Sequence, residues 1–181
     1  MKIGSVSENK QIEKRIAVTP EVAKKYINLG FELLLPENYA FHLGINDNIF
    51  QEVGAKIIKD EKELINNSDL IIQLGLLSED ELSIIKEGQS IIGVLSPYDN
   101  KEKIESLVKK KINLFSLDLL PRITRAQSMD ILSSQANLAG YKAVIESFSI
   151  FEKAIPMMMT AAGTIPAAKV LVVGAGVAGL Q

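Results

Sequence analysis

Short apolar runs alternate with polar stretches of helical length through the first two thirds of the chain. Met1–Val6, Phe31–Leu35, Ala55–Ile58, Asp69–Leu74, Ser90–Leu95 and Ile112–Ser116 each read as a strand. The segments between them carry helix signals. Thr19-Pro20-Glu21 combines an N-cap, a proline at the first helical position and an acid in the first turn, and Gly30 closes that helix. Helices are also expected over Asn46–Val53, stopped by Gly54, and over Glu61–Asn66 and Asn100–Lys110. Ser78 followed three residues later by Glu81 forms a capping box that opens a helix running to Lys86. The strands are bunched Ile, Leu and Val rather than alternating apolar and polar residues. That is the pattern of a parallel sheet covered on both faces. The expected fold is therefore α/β, with an open parallel-sheet domain (flavodoxin- or Rossmann-like) over residues 1–135.

The pattern then changes. A long helical stretch is expected over about Gln127–Glu152, with Leu138-Ala139-Gly140 as the place where it would break. Further on, Lys169–Val173 reads as a strand that opens directly into Gly174-Ala175-Gly176-Val177-Ala178-Gly179. Residues 136–181 thus read as a linker helix and the first strand and turn of an incomplete Rossmann domain. The second strand and its ribose-binding acid, about 20 residues further on, have no place before Gln181, so a truncated product is expected.

Composition narrows the function classes. A formal net charge of −2 offers no basic field for nucleic acid or anionic lipid. The absence of Cys removes disulfides and thiolate metal sites, and with a single His no metal site is expected. No run approaches the ~18 consecutive apolar residues of a membrane span.

Four features could carry chemistry. The G-x-G-x-x-G pattern is weak alone but gains weight from the apolar strand before it. Gly174 would allow the tight turn, Gly176 the approach of backbone to a pyrophosphate, and Gly179 close helix–strand packing, with Val177 and Ala178 completing the loop. The bland alternative is a Gly-rich turn without a ligand. In the second feature, Arg122–Gln135, a helix starting near Gln127 would put Gln127, Asp130 and Ser133 on one stripe, with Arg122 on the loop before it. Met129 and Leu132 would then point towards the core. On residue types alone, a solvated helix face with an Arg–Asp pair is the simpler explanation. The third, Arg15, lies on the loop after the first strand, where open α/β sheets bind ligands and an Arg can clamp a carboxylate or phosphate. It is equally explained as a surface charge. The fourth, His42, is more simply structural than catalytic.

Three segments, in order and spacing, resemble the alanine dehydrogenase and transhydrogenase alpha-subunit superfamily. They are Arg15-Ile16-Ala17-Val18-Thr19-Pro20, Arg122–Gln135 continuing into Asn137-Leu138-Ala139-Gly140-Tyr141, and Lys169–Gln181. The resemblance implies a component that binds NAD(H) and passes hydride to NADP(H) held on a partner subunit or domain, coupled to proton movement by membrane-spanning partner subunits. It implies that Arg122, Gln127, Asp130 and Ser133 contact the nicotinamide end of the cofactor by positioning, with no acid–base catalyst. It further implies a homodimer, held on the cytoplasmic face of the membrane through its partners, and an isolated chain that is inactive. Alanine dehydrogenases resemble the chain too, but they carry a Lys in a K-V-K-E-P stretch and a His in a Y-L-H-L stretch. Here those regions read Asp69–Gly75, with Gln73, and Gly93–Tyr98, with Leu95. Amino-acid oxidation needs a proton shuttle and ring-to-ring hydride transfer does not, so the differences favour the transhydrogenase branch. An alanine dehydrogenase-like or saccharopine dehydrogenase-like enzyme, or a non-catalytic fragment, remains an alternative on sequence alone.

Overall fold

The computed structural model describes residues 1–181 and divides into two compact units, Met1–Leu120 and Pro121–Gln181. Residue 135 falls inside a helix of the second unit.

Strands and α-helices alternate through the first unit: β1 (Lys2–Gly4), α1 (Pro20–Asn28), β2 (Glu32–Pro36), α2 (Asp47–Glu52), β3 (Lys56–Ile58), α3 (Glu61–Asn67), β4 (Leu70–Ile72), α4 (Glu79–Ile84), β5 (Ser90–Gly93), α5 (Lys101–Lys109) and β6 (Asn113–Ser116), with 3-10 turns at Phe41–Leu43 and Leu117–Leu119. All six strands are parallel, in the order β3-β2-β1-β4-β5-β6. Every expected strand of this unit is present; five are trimmed relative to their apolar runs, and β2 keeps its length but is shifted by one residue, to Glu32–Pro36. The trimmed ends, such as Ser5-Val6 and Gln73-Leu74, continue past the ladder into the loops. The expected caps form. Thr19 Oγ1 accepts the Val22 amide, and Ser78 and Glu81 exchange hydrogen bonds as a full capping box.

Successive residues of β2 divide between the two faces of the sheet, since side chains alternate along a strand. Leu33 and Leu35 pack with Ile3, Val18, Ala23, Tyr39 and Phe50, whereas Leu34 joins Val6, Leu64, Ile65, Ile71, Ile91 and Leu107. Both sets are buried, which explains why the strands read as continuous apolar runs. Gly93 of β5 fills a position where a Cβ would lie 2.3 Å from the Gln73 carbonyl oxygen, so only glycine lets the β4–β5 edge close there.

In the second unit, Thr124–Met129 forms a 3-10 segment and α6 runs from Ile131 to Ile150. A hairpin of β7 (Met158–Thr160) and β8 (Gly163–Ile165) follows, and Val177–Leu180 forms a single turn of helix, α7. Two expectations about α6 change here. The helix starts at Ile131 rather than near Gln127, because Asp130 serves as its N-cap. It does not break at Gly140. The hairpin is not foreshadowed in the sequence, since its turn, Ala161-Ala162, lacks the usual Asn-Gly or Asp-Gly signal. No helix is long and apolar enough to cross a membrane.

Lys169–Val173, expected as a strand, forms no ladder. Val170, Leu171, Val172 and Val173 are 59–92% exposed despite being apolar. A strand is stabilised by neighbours that supply hydrogen bonds and cover its faces, and this run has neither. Amide exchange of the 181-residue chain should therefore be fast across Lys169–Val173 and slow through the β1–β6 sheet. Strong protection of Val170–Val173 in the monomer would contradict this.

Candidate functional site

Strand order reverses between β1 and β4, and the crevice outside the carboxyl ends of these strands is where open α/β sheets hold ligands. In this molecule the ends are joined by a buried polar network. The Tyr39 hydroxyl accepts the Ala17 and Val18 amides, both at 3.1 Å, and so donates its own proton to Ser5 Oγ at 2.9 Å. Gln73 Oε1 in turn accepts the Val6 amide at 3.3 Å and faces Ser5 Oγ at 3.5 Å. Burial pushes the Tyr39 phenol above its ordinary pKa, so it stays neutral and keeps this direction. Glu8 closes the edge by accepting the Leu74 amide at 2.6 Å, and burial raises its carboxyl above the usual range. Gln73 and Leu95, in the regions where the alanine dehydrogenase pattern has Lys and His, are thus an engaged amide and a buried aliphatic side chain.

Arg15 is held on this side by Glu13. Its Nε and Nη2 donate to the two carboxylate oxygens at 2.9 and 2.6 Å, and its own amide donates to Oε1 at 2.9 Å. The Arg15 hydrogen bond, with help from its charge, holds the Glu13 carboxyl at about 2. His42 Nε2 lies 2.8 Å from the Lys14 carbonyl, which makes that nitrogen the donor and ties the Phe41–Leu43 turn to the same loop. Both residues therefore have structural partners. Tyr39, Ser5 and Glu8 carry no pattern in the sequence that marks them, because their roles depend on pairings 21 to 68 residues apart.

The second unit contains a separate cavity of about 430 Å³. It is lined on one side by Arg122, Leu132, Ser133 and Ala136, and on the other by Val173, Gly174, Gly176, Val177, Ala178 and Gly179. Arg122 and Ser133 thus meet the glycine fingerprint within one cavity. Gly174 has φ +114°, a conformation that strains any residue with a Cβ. At Gly176 nothing lies within 4 Å of where a Cβ would be, so its backbone faces open space. At Gly179 a Cβ would fall 2.2 Å from the Gly174 carbonyl oxygen, so the turn closes only around glycine.

The other two residues of the expected stripe are placed differently. Asp130 caps α6, its Oδ1 accepting the Ser133 amide at 2.9 Å and its Oδ2 the Ser133 hydroxyl at 2.6 Å. These two bonds, with a smaller contribution from the Arg122 charge, hold the Asp130 carboxyl below its ordinary pKa. Because Ser133 Oγ donates to Asp130, it presents lone pairs to the cavity and acts there as an acceptor. Gln127 belongs to the 3-10 segment rather than to α6, is exposed, and does not line the cavity; its carbonyl accepts the Asp130 amide at 3.3 Å. The single stripe expected from helical spacing does not form, since 3-10 and α-helical residues have different periods. The cap was legible: Asp130 immediately precedes the apolar pair Ile131-Leu132, the usual place for one. Leu132 and Met129, expected to face the core, are 41% and 53% exposed, and Leu132 lines the cavity.

Comparison with known proteins agrees with this architecture. Residues 4–139 match the family "Alanine dehydrogenase/PNT, N-terminal domain" and residues 143–181 match "Alanine dehydrogenase/PNT, C-terminal domain". The chain is 45% identical to the Rhodospirillum rubrum protein named as the first part of NAD(P) transhydrogenase subunit alpha, over 100% of its own length and 48% of that protein's. It is 44% identical to the protein of the same name from Rickettsia prowazekii, with the same coverage. It therefore spans about half the length of the relatives it matches. A crystal structure of the transhydrogenase from Sinorhizobium meliloti superposes with a TM-score of 0.93 at 40% identity, covering 99% of this chain and 54% of that one. An L-alanine dehydrogenase structure superposes at 0.70 and 17% identity, which shows a shared fold. Alanine dehydrogenase sequences are more distant, at 25% identity for that of Methanococcus maripaludis. The chain belongs to the alanine dehydrogenase/PNT family.

Proposed function

We propose that this chain is the leading portion of the NAD(H)-binding component of a proton-translocating NAD(P) transhydrogenase. In this proposal NADP(H) is held by a partner subunit or domain, and membrane-spanning partners couple hydride transfer to proton movement. The observation that supports it best is the cavity in which Arg122 and Ser133 meet Gly174, Gly176 and Gly179. The identity to transhydrogenase alpha subunits, well above that to alanine dehydrogenases, points the same way. On the strength of the resemblance the proposal extends to a homodimer attached to the cytoplasmic face of the membrane through its partners, with the division between domains near residue 135, close to where the two family matches meet within α6.

The residues present fit the cofactor. Gly174 makes a turn that other residues would strain, and Gly176 leaves its backbone open to a pyrophosphate. When bound, the nicotinamide would supply or receive the hydride. The chain's own residues would bind and orient it: Gly174–Gly179 at the pyrophosphate, Ser133 as an acceptor and Arg122 as a cationic clamp in the cavity, with Asp130 fixing Ser133 from behind. Gln127 is assigned to the same nicotinamide end on the strength of the resemblance. None of them needs to move a proton, and Gln73 and Leu95 supply no proton donor at the sheet edge.

NADH titration of an alpha component carrying this sequence tests the assignment. Saturable binding is expected, and Gly174→Val should weaken it at least tenfold, because φ +114° is strained for a β-branched residue. Failure of the unmodified protein to bind NADH, or an unaltered affinity in Gly174→Val, would contradict it.

A further inference from the structure

Gly140 lies in the middle of α6, where an ordinary helix disfavours glycine relative to alanine. It is also the one buried residue of that twenty-residue helix. The reason is a direct backbone contact. A Cβ on Gly140 would lie 2.2 Å from the Ala178 carbonyl oxygen, 2.9 Å from its carbonyl carbon and 3.0 Å from its Cα. Every atom of that encounter on the Ala178 side is main chain, so no rotamer change can relieve it. Ala178 is itself part of the cavity wall, together with Gly174, Gly176 and Gly179.

Ser133, Ala136 and Gly140 are spaced i, i+3, i+7 and share one face of α6. The first two line the cavity, and the third supports the turn that forms the opposite wall. Seven residues of helix place the support about 10 Å from Ser133 along the same rod. One helix face therefore fixes both sides of the cavity, with Gly140 setting how close the glycine turn sits to Ser133.

We propose that Gly140 is a positioning residue for the nucleotide site, setting the separation between α6 and the Gly174–Gly179 turn through its contact with the Ala178 backbone. This rests on the assignment of that turn to NAD(H). A methyl group at residue 140 needs roughly 1 Å of added separation to reach ordinary van der Waals distance, and the displaced element is the turn. Gly140→Ala should weaken NADH binding at least tenfold and Gly140→Val more, while helicity stays level in Gly140→Ala, since Ala is the better helix former.

Two measurements on the full 181-residue chain separate the possible failures. The first needs no ligand. Backbone amide resonances of Gly174, Gly176 and Gly179 should shift in Gly140→Ala and stay in place in Asn137→Ala, a control position on the same helix that does not line the cavity. Unmoved glycine resonances in Gly140→Ala would overturn the proposal. The second is NADH affinity of the same variants by nicotinamide fluorescence. A tenfold or larger loss confined to the Gly140 variants supports the proposal, and equal affinity in Gly140→Ala overturns it. If the unmodified chain binds no NADH, the assignment to NAD(H) loses support, while the glycine resonances still decide whether Gly140 sets the turn.

Discussion

Asp130→Ala, in an alpha component carrying this sequence and assembled with its transhydrogenase partners, should slow hydride transfer by on the order of a hundredfold, while Asp130→Asn stays within about tenfold of the unmodified protein. Asp130 holds Ser133 by two bonds, through its amide and its hydroxyl. Alanine removes both, leaving the first turn of α6 uncapped and Ser133 free to change rotamer. Asparagine is as good an N-cap as aspartate: its Oδ1 can still accept the Ser133 amide, and its Nδ2 can donate to the Ser133 hydroxyl oxygen in place of the lost acceptor. A shift of ~1 Å at a reacting centre costs on the order of a hundredfold in rate. Affinity for NADH, shared with the glycine turn, should fall less than about tenfold in either variant. Stopped-flow transfer to an NADP(+) analogue, with NADH affinity measured in parallel, reads both quantities. Equal slowing by Ala and Asn would show that the charge, rather than the cap, is what the site needs. Equal losses of rate and affinity would reduce Asp130 to a binding role.

The second large effect concerns stability rather than chemistry. Tyr39→Phe should destabilise the first unit by about 2–4 kcal/mol, a drop of roughly 10 °C in its melting temperature. The ring itself is retained, including its edge-on contact with Phe50 at 5.9 Å. What disappears is one oxygen, and with it the partner of the Ala17 and Val18 amides and the donor to Ser5. Val18 is fully buried, so its orphaned N–H cannot turn to water. Each buried donor left without a partner costs about 1–3 kcal/mol. Tyr98→Phe, at a residue 85% exposed, should change stability by less than about 0.5 kcal/mol. A melting temperature for Tyr39→Phe within about 2 °C of the unmodified chain would show that the network is not the anchor described.

The contrast between these two sites shows what a sequence carries. The β1–β6 sheet was legible because strand and helix periodicity are local properties, and Thr19 and Ser78 marked their helices by adjacent residues alone. The glycine fingerprint was legible for the same reason, as was the polar content of Arg122–Gln135. The arrangement of that segment was not. Placing Gln127, Asp130 and Ser133 on one stripe assumed a helix that Asp130 in fact begins, with 3-10 geometry before it. Gly140 read as a weak point because its compensation, the Ala178 backbone, comes from 38 residues later in the chain. Tyr39, Ser5 and Gln73 likewise depend on contacts between distant segments. Lys169–Val173 failed in the other direction: its composition is that of a strand, but composition supplies no neighbours to pair with it.

If the chain is a hydride-transfer component without a proton shuttle, a pH–rate profile tests that most directly. An alpha component carrying this sequence would oxidise NADH once with its NADP(+)-binding partner and once with pyruvate and ammonia. Reduction of the keto acid requires a proton delivered in the site. At the carboxyl edge of the β1–β4 crevice, Gln73 is an amide engaged with Val6, and Leu95 is buried and aliphatic. Ring-to-ring transfer exchanges no proton at the reacting carbons. The expected result is transfer to the second nicotinamide at a rate nearly flat between about pH 6 and 8, with no turnover of pyruvate. A bell-shaped profile accompanied by pyruvate turnover would contradict the account and return the chain to the dehydrogenase branch of its family.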